Sequence, residues 1–158
     1  MKLKDYRNLF LSILICNLAG AIGSIFTMPA IDSWYGNLVK PALNPPSWVF
    51  GPVWTLLFIL MGVAAFIVYN HGWKKVEVKI ALSIFGFQLI LNTLWSIIFF
   101  GLQNPGLAFL ELVLLWIAIL FSIISFFRVS KKAAYLLIPY IMWVSFAGYL
   151  NLSFFLLN

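Results

Sequence analysis

Trp34-Tyr35-Gly36-Asn37-Leu38-Val39-Lys40-Pro41-Ala42-Leu43-Asn44-Pro45-Pro46-Ser47-Trp48-Val49-Phe50-Gly51-Pro52-Val53-Trp54 joins one long apolar run to the next. It packs three Trp, one Tyr, one Phe and four Pro into a connection that would ordinarily be short and polar. Proline fixes φ and removes a backbone donor, so such a segment is shaped by tertiary packing and not by a hydrogen-bond ladder. The stretch reads as a stiff lid over a pocket, with its flat rings as lining.

Outward from this loop the chain is apolar almost throughout. Of its 158 residues 64% are hydrophobic and 9% charged, where a soluble domain carries about 25% charged residues. A spanning helix needs about 20 mostly apolar residues, and five stretches qualify: 9–29, 48–69, 80–100, 107–127 and 133–157. The runs are long and continuous, not ten-residue alternations, so helices are expected and a barrel is not. The expected fold is all-α: an integral membrane bundle of five transmembrane helices in a single domain, 1–158, with a Pro/Trp-rich first loop. The first run follows Lys2, Lys4 and Arg7 like a signal peptide, but no small-x-small cleavage site leads into a soluble remainder. An odd helix count without an internal repeat disfavours a duplicated transporter.

Charge sets the orientation. Lys2, Lys4, Arg7, Lys74, Lys75, Lys79, Arg128, Lys131 and Lys132 fall on one side of the bundle and only Lys40 on the other. By the positive-inside rule the N-terminus faces the cytoplasm, and the first loop and C-terminus face out. The net charge of +6 is thus read as topology and contact with anionic lipid, not as nucleic-acid binding. Cys16 is the single cysteine and His71 the single histidine. They exclude an intrachain disulfide and a zinc set, and leave no axial haem ligand within a span. No Ser/His/Asp set or phosphate-cradling glycine loop is present, and no metal or resident cofactor is expected.

Polar side chains inside apolar spans need partners, so their spacing is informative. Gln88, Asn92, Trp95, Ser96 and Phe99 fall on one helical stripe, as do Pro139, Trp143, Phe146, Ala147, Leu150 and Asn151. Phe50, Trp54, Phe58 and Met61 share a face of the second span. Facing one another, the three stripes would enclose an apolar cavity with a few polar groups, the usual make-up of a small-molecule site. The bland alternative is that Asn92 and Asn151 hydrogen-bond between helices and the rings pack as core. Pro139 is expected to kink the fifth span, and Trp73 to lie in the interfacial belt. In the first span Cys16, Gly20 and Ser24, and Ala19 and Gly23, are spaced by four. Such small-residue faces serve either packing within the bundle or a homodimer seam at Gly20, Gly23 and Ser24. Glu111, the one acidic residue at membrane depth, is expected near the interface, capping or pairing locally.

These residues resemble the TspO/MBR family, the tryptophan-rich sensory proteins related to the mitochondrial translocator protein (peripheral benzodiazepine receptor). The resemblance is carried by Trp34-Tyr35-x-x-Leu38-x-Lys40-Pro41 and Pro45-Pro46-x-Trp48-x-Phe50-x-Pro52-Val53-Trp54. It continues in Gln88-Leu89-x-x-Asn92-x-x-Trp95-Ser96 and Pro139-Tyr140-x-x-Trp143-Val144-x-Phe146-Ala147-x-x-Leu150-Asn151, and so covers nearly the whole chain in order. It implies a five-helix bundle, commonly a homodimer. It also implies a pocket beneath the first loop that binds porphyrins such as protoporphyrin IX and isoquinoline-carboxamide-type ligands. Matching pocket positions are Tyr35, Pro45, Trp54, Phe58, Asn92, Trp95, Trp143, Ala147 and Leu150. Trp and Phe faces suit a flat disc, and Lys40 could meet a propionate. The cholesterol motif of animal members has no counterpart in 150–158, which contain neither Tyr nor a basic residue. That argues against cholesterol binding and for a bacterial cell membrane as the location. Three functions compete: a porphyrin receptor or sensor, light-driven or oxidative breakdown of bound porphyrin with Trp54 and Trp143 as electron donors, and a transporter of a lipophile. Binding ranks first, breakdown second and transport third.

Overall fold

The computed structural model describes residues 3–158; Lys2, counted among the cations above, lies outside the described residues. The described chain is all-helical: α1 (Leu3–Ala30), α2 (Ser47–Asn70), α3 (Val76–Ser96), α4 (Pro105–Val129), α5 (Lys131–Leu136) and α6 (Ile138–Leu157). α1 and α3 each continue into a wider π-helical turn, Ile31–Tyr35 and Ile97–Gly101. With α5 and α6 as one broken span, five helices are long and apolar enough to cross a membrane.

The spans outrun the hydropathy boundaries for local reasons. Asn104 caps α4, its Oδ1 accepting from the Leu107 amide at 2.9 Å, and Pro105 takes the first helical position, where a missing N–H costs nothing. Pro29 does not end the first span, which stays helical to Tyr35. The Ser33 hydroxyl donates to the Pro29 carbonyl at 2.8 Å and Asn37 Nδ2 to the Ser33 carbonyl at 2.7 Å, satisfying acceptors at the helix end. The expected kink at Pro139 is a break: α5 stops before Leu137, whose amide bonds to the Ala134 carbonyl at 3.0 Å. Pro139 has no N–H to continue the ladder.

In lipid, helix association rests on close packing and interhelical hydrogen bonds. α3 and α4 meet through the stacked rings of Phe85 and Phe126, 5.4 Å apart. α1 and α2 meet at Gly62, where a Cβ would stand 2.5 Å from the Ile13 Cα. One buried cluster, centred on Met61, Val68, Ile119 and Phe126, fills the end of the bundle away from the first loop. A second, built from Tyr35, Ile98, Phe99, Ala108, Leu150 and Phe154, lies beneath that loop. Glu111 departs from expectation. It lies in the middle of this packing at 6% exposure, and neither carboxylate oxygen has a hydrogen-bond partner among the described residues. The helical phase of position 111 puts it on the same face as the buried Ala108, Leu115 and Ser122, away from any cap.

Candidate functional site

The two π-helical turns do the local work of building the site. An i→i−5 bond, Leu102 N–H to the Ile97 carbonyl at 2.8 Å, widens the end of α3. The wider turn presents Phe99 to Trp34, ring centres 5.5 Å apart, and Phe100 to Tyr35, whose ring lies 5.7 Å from that of Phe100 and 5.3 Å from that of Phe154. Insertions of this kind recur at functional sites because they re-aim side chains without ending the helix. Above them the first loop is fastened at both ends. The Tyr35 hydroxyl donates to Asn44 Oδ1 at 3.1 Å. The Asn158 side chain accepts from the Val39 amide at 2.9 Å and donates to the Val39 carbonyl at 3.2 Å.

Between the two ends of this loop, Tyr35 and Ser47–Trp48, and without contact to residues 36–46, opens a cavity of about 630 Å³, within the range that holds a drug-sized ligand. Tyr35, Trp54, Phe58, Asn92, Trp95, Trp143, Ala147 and Leu150 all line it. Pro45 does not; it lies in the lid, its carbonyl accepting from Asn44 Nδ2 at 3.3 Å. Lys40 is also outside the cavity, its Nζ 5.5 Å from the centre of the Tyr35 ring. Gln88 and Met61, expected on lining stripes, are fully buried in the core instead. Asn92 combines both readings offered for it: it faces the cavity and donates to the Tyr140 hydroxyl at 2.9 Å.

The wall is held by a second layer of polar contacts. The Tyr140 hydroxyl donates to Gln88 Oε1 at 2.8 Å, and the Tyr140 ring meets Trp54 edge-on at 6.3 Å. Trp54 stacks on Phe58 at 5.6 Å. Trp95 Nε1 donates to Asn151 Oδ1 at 2.9 Å, and Asn151 Nδ2 donates to the Pro105 carbonyl at 2.6 Å. Tyr140 is thus a positioning residue, which the sequence marks only as a member of the motif running from Pro139 to Asn151. The signal for it was its place three residues before Trp143, on the same helical face. Gly20 and Gly23 are used within the chain: a Cβ on Gly20 would overlap the Phe58 ring, and one on Gly23 would stand 3.0 Å from Ser96 Oγ. Ser24 is exposed, and its hydroxyl bonds back to the Ala21 carbonyl. The Trp143 indole N–H is buried with no hydrogen-bond partner among the described residues.

A sequence profile of the TspO/MBR family matches residues 12–157. The chain belongs to the TspO/MBR family. Among its relatives is a tryptophan-rich protein TspO of Chlorobaculum tepidum, 48% identical over 155 residues and covering 98% of both chains. One from Archaeoglobus fulgidus is 43% identical and covers 93% of this chain and 94% of its own. The human translocator protein is 37% identical over 131 residues, 82% of this chain and 78% of its own. As a family member with five apolar spans it is an integral membrane protein.

Proposed function

We propose that this protein is a membrane receptor for flat lipophilic ligands of the porphyrin class, protoporphyrin IX among them, and for isoquinoline-carboxamide-type molecules. The observation that carries the reading is the cavity itself: about 630 Å³, walled by the rings of Trp54, Phe58, Trp95 and Trp143. Offset or edge-on ring contacts bind a flat conjugated disc. The Asn92 side chain, on the cavity wall, supplies a polar handle. Among the described residues no Asp, Glu, Lys, Arg or His lines the cavity, so the ionised edge of a porphyrin lies outside it. Lys40 on the lid is the nearest cation on that side to meet a propionate.

The same proposal places the chain in a bacterial cell membrane as a homodimer, with the N-terminus in the cytoplasm and the lid outside. Gly20 and Gly23 pack inward and Ser24 borders the cavity, so the seam falls on other parts of the bundle surface.

The test is a protoporphyrin IX titration of purified protein in detergent, followed by tryptophan quenching and porphyrin absorbance in the dark and then under light. Saturable quenching with a stable spectrum is expected. Trp143→Phe weakens binding while leaving the fold intact. Trp54→Ala weakens it further, because it also opens a void beside Phe58 and Tyr140. Absence of saturable quenching, or wild-type binding in both folded variants, would reject the reading. A light-dependent spectral change lost in the variants would favour breakdown of the porphyrin.

A further inference from the structure

We propose that the ligand enters the cavity sideways from the bilayer, through a window between α1 and α2, and not through the first loop. This rests on the ligand-binding reading above and adds to it a route and a selection rule. At the end away from the lid the two helices are pinned together. The Ser12 hydroxyl donates to the Gly62 carbonyl at 2.8 Å, and Gly62 has no room for a side chain. Further along, α1 changes partner. The Thr93 hydroxyl of α3 donates to the Ala19 carbonyl at 3.1 Å, Gly23 meets Ser96, and Phe26 packs on Gly101. The Phe58 ring against Gly20 marks the point where α1 leaves α2 for α3.

Beyond that point the cavity is bordered by Ala21, Ser24 and Met28 on α1 and by Trp48, Gly51 and Thr55 on α2. All six are also exposed, Met28 at 69% and Trp48 at 75%. Side chains that line an interior cavity and are open on the helix flanks frame an opening, here along the first turns of α2 and the facing stretch of α1, at the loop end of the spans where the flanks face lipid. Gly51 gives the clearest sign: nothing stands within 4 Å of where its Cβ would be. The lid, by contrast, is fastened through Tyr35–Asn44 and Asn158–Val39. A window at this depth with an uncharged wall admits molecules that partition into the acyl layer with their ionised groups at the headgroups. It excludes equally large anions that stay in water.

Gly51→Phe fills the window at a position where glycine is the least favoured residue after proline for the helix itself. With protoporphyrin IX as probe in lipid nanodiscs, Gly51→Phe should slow association and dissociation together by tenfold or more. Asn158→Ala, which frees the lid, should leave both rates within twofold. The reverse pattern overturns the window. A second readout needs no porphyrin. In bilayers of lipid brominated on its acyl chains, and in a Trp48→Phe background that removes the rim tryptophan, quenching of the cavity tryptophans should fall on adding Gly51→Phe. Equal quenching with and without Gly51→Phe, as when a second copy of the chain covers the seam, overturns the window whatever porphyrin does. Window-dependent quenching without saturable porphyrin binding keeps the window and rejects the ligand class.

Discussion

Tyr140→Phe separates what holds the cavity wall from what touches a ligand. The Tyr140 hydroxyl is buried, at 1% exposure for the residue. It accepts from Asn92 Nδ2 at 2.9 Å and donates to Gln88 Oε1 at 2.8 Å. Its removal strands the Gln88 carbonyl in a residue with 0% exposure, whose amide nitrogen has only the Met61 sulfur at 3.9 Å. A buried polar group left without its partner costs about 1–3 kcal/mol. Asn92 adds less, because its amide borders the cavity and can turn toward it. The expected loss is therefore about 1–3 kcal/mol. It stands against about 0.6 kcal/mol for an ordinary interhelical bond in a membrane, such as Trp116 Nε1 to Ser145 Oγ at 2.8 Å on the exposed side of the bundle. The assay is reversible unfolding in mixed micelles with an ionic detergent, comparing Tyr140→Phe with Ser145→Ala. Adding Gln88→Leu to Tyr140→Phe removes the stranded carbonyl and should recover part of the loss. Ligand affinity should stay within a few-fold throughout, since the phenyl ring keeps its edge contact with Trp54. A Tyr140→Phe variant no less stable than Ser145→Ala, or a double variant worse than the sum of its parts, would refute the reasoning.

Three further outcomes are expected. Asn151→Leu removes the acceptor of Trp95 Nε1 and the donor to the Pro105 carbonyl. It should lower stability by about 1–3 kcal/mol and weaken porphyrin binding, and unaltered Trp95 fluorescence and affinity would count against the role given to Asn151. Gly20→Val forces a side chain into the Phe58 ring. Overpacking costs about 1–3 kcal/mol, and the displaced ring, stacked on Trp54, should reduce ligand affinity tenfold or more; a titration with unchanged affinity would show that the ring has another place to go. Lys40→Glu should weaken porphyrin binding and leave an uncharged isoquinoline-carboxamide ligand unaffected, and equal losses for the two ligands would remove the propionate contact.

Much of this architecture was legible in the order of residues. Without water in the hydrocarbon layer every backbone group must be bonded within its own segment, so five long apolar runs already imply five helices. The 3.6-residue period then places Trp54 with Phe58, Asn92 with Trp95, and Trp143 with Ala147 and Leu150, all on the cavity wall. Boundaries were less legible, since hydropathy does not register the Asn104 cap or the side-chain bonds that carry α1 past Pro29.

Which neighbour each face meets is set by how the helices pack against one another. Period alone puts Gln88 on the stripe of Asn92 and Trp95; its bond from the Tyr140 hydroxyl holds it in the core. Four-residue spacing in α1 suits a seam between copies as well as packing within one. The Phe58 ring against Gly20 and Ser96 against Gly23 show these glycines spent within the chain. Glu111 reads as an interfacial carboxylate by its distance from Pro105 but lies buried, because the crossing of α4 with its neighbours covers that face. The helices, their apolar stripes and the stiff aromatic lid are written in the order of residues, since they follow from local backbone hydrogen bonding and from period. The cavity and its side opening arise because α1 packs on α2 at one end and on α3 at the other. That change of partner is set by contacts between residues some 50 to 75 positions apart, Ser12 with Gly62 and Ala19 with Thr93, which no local pattern records.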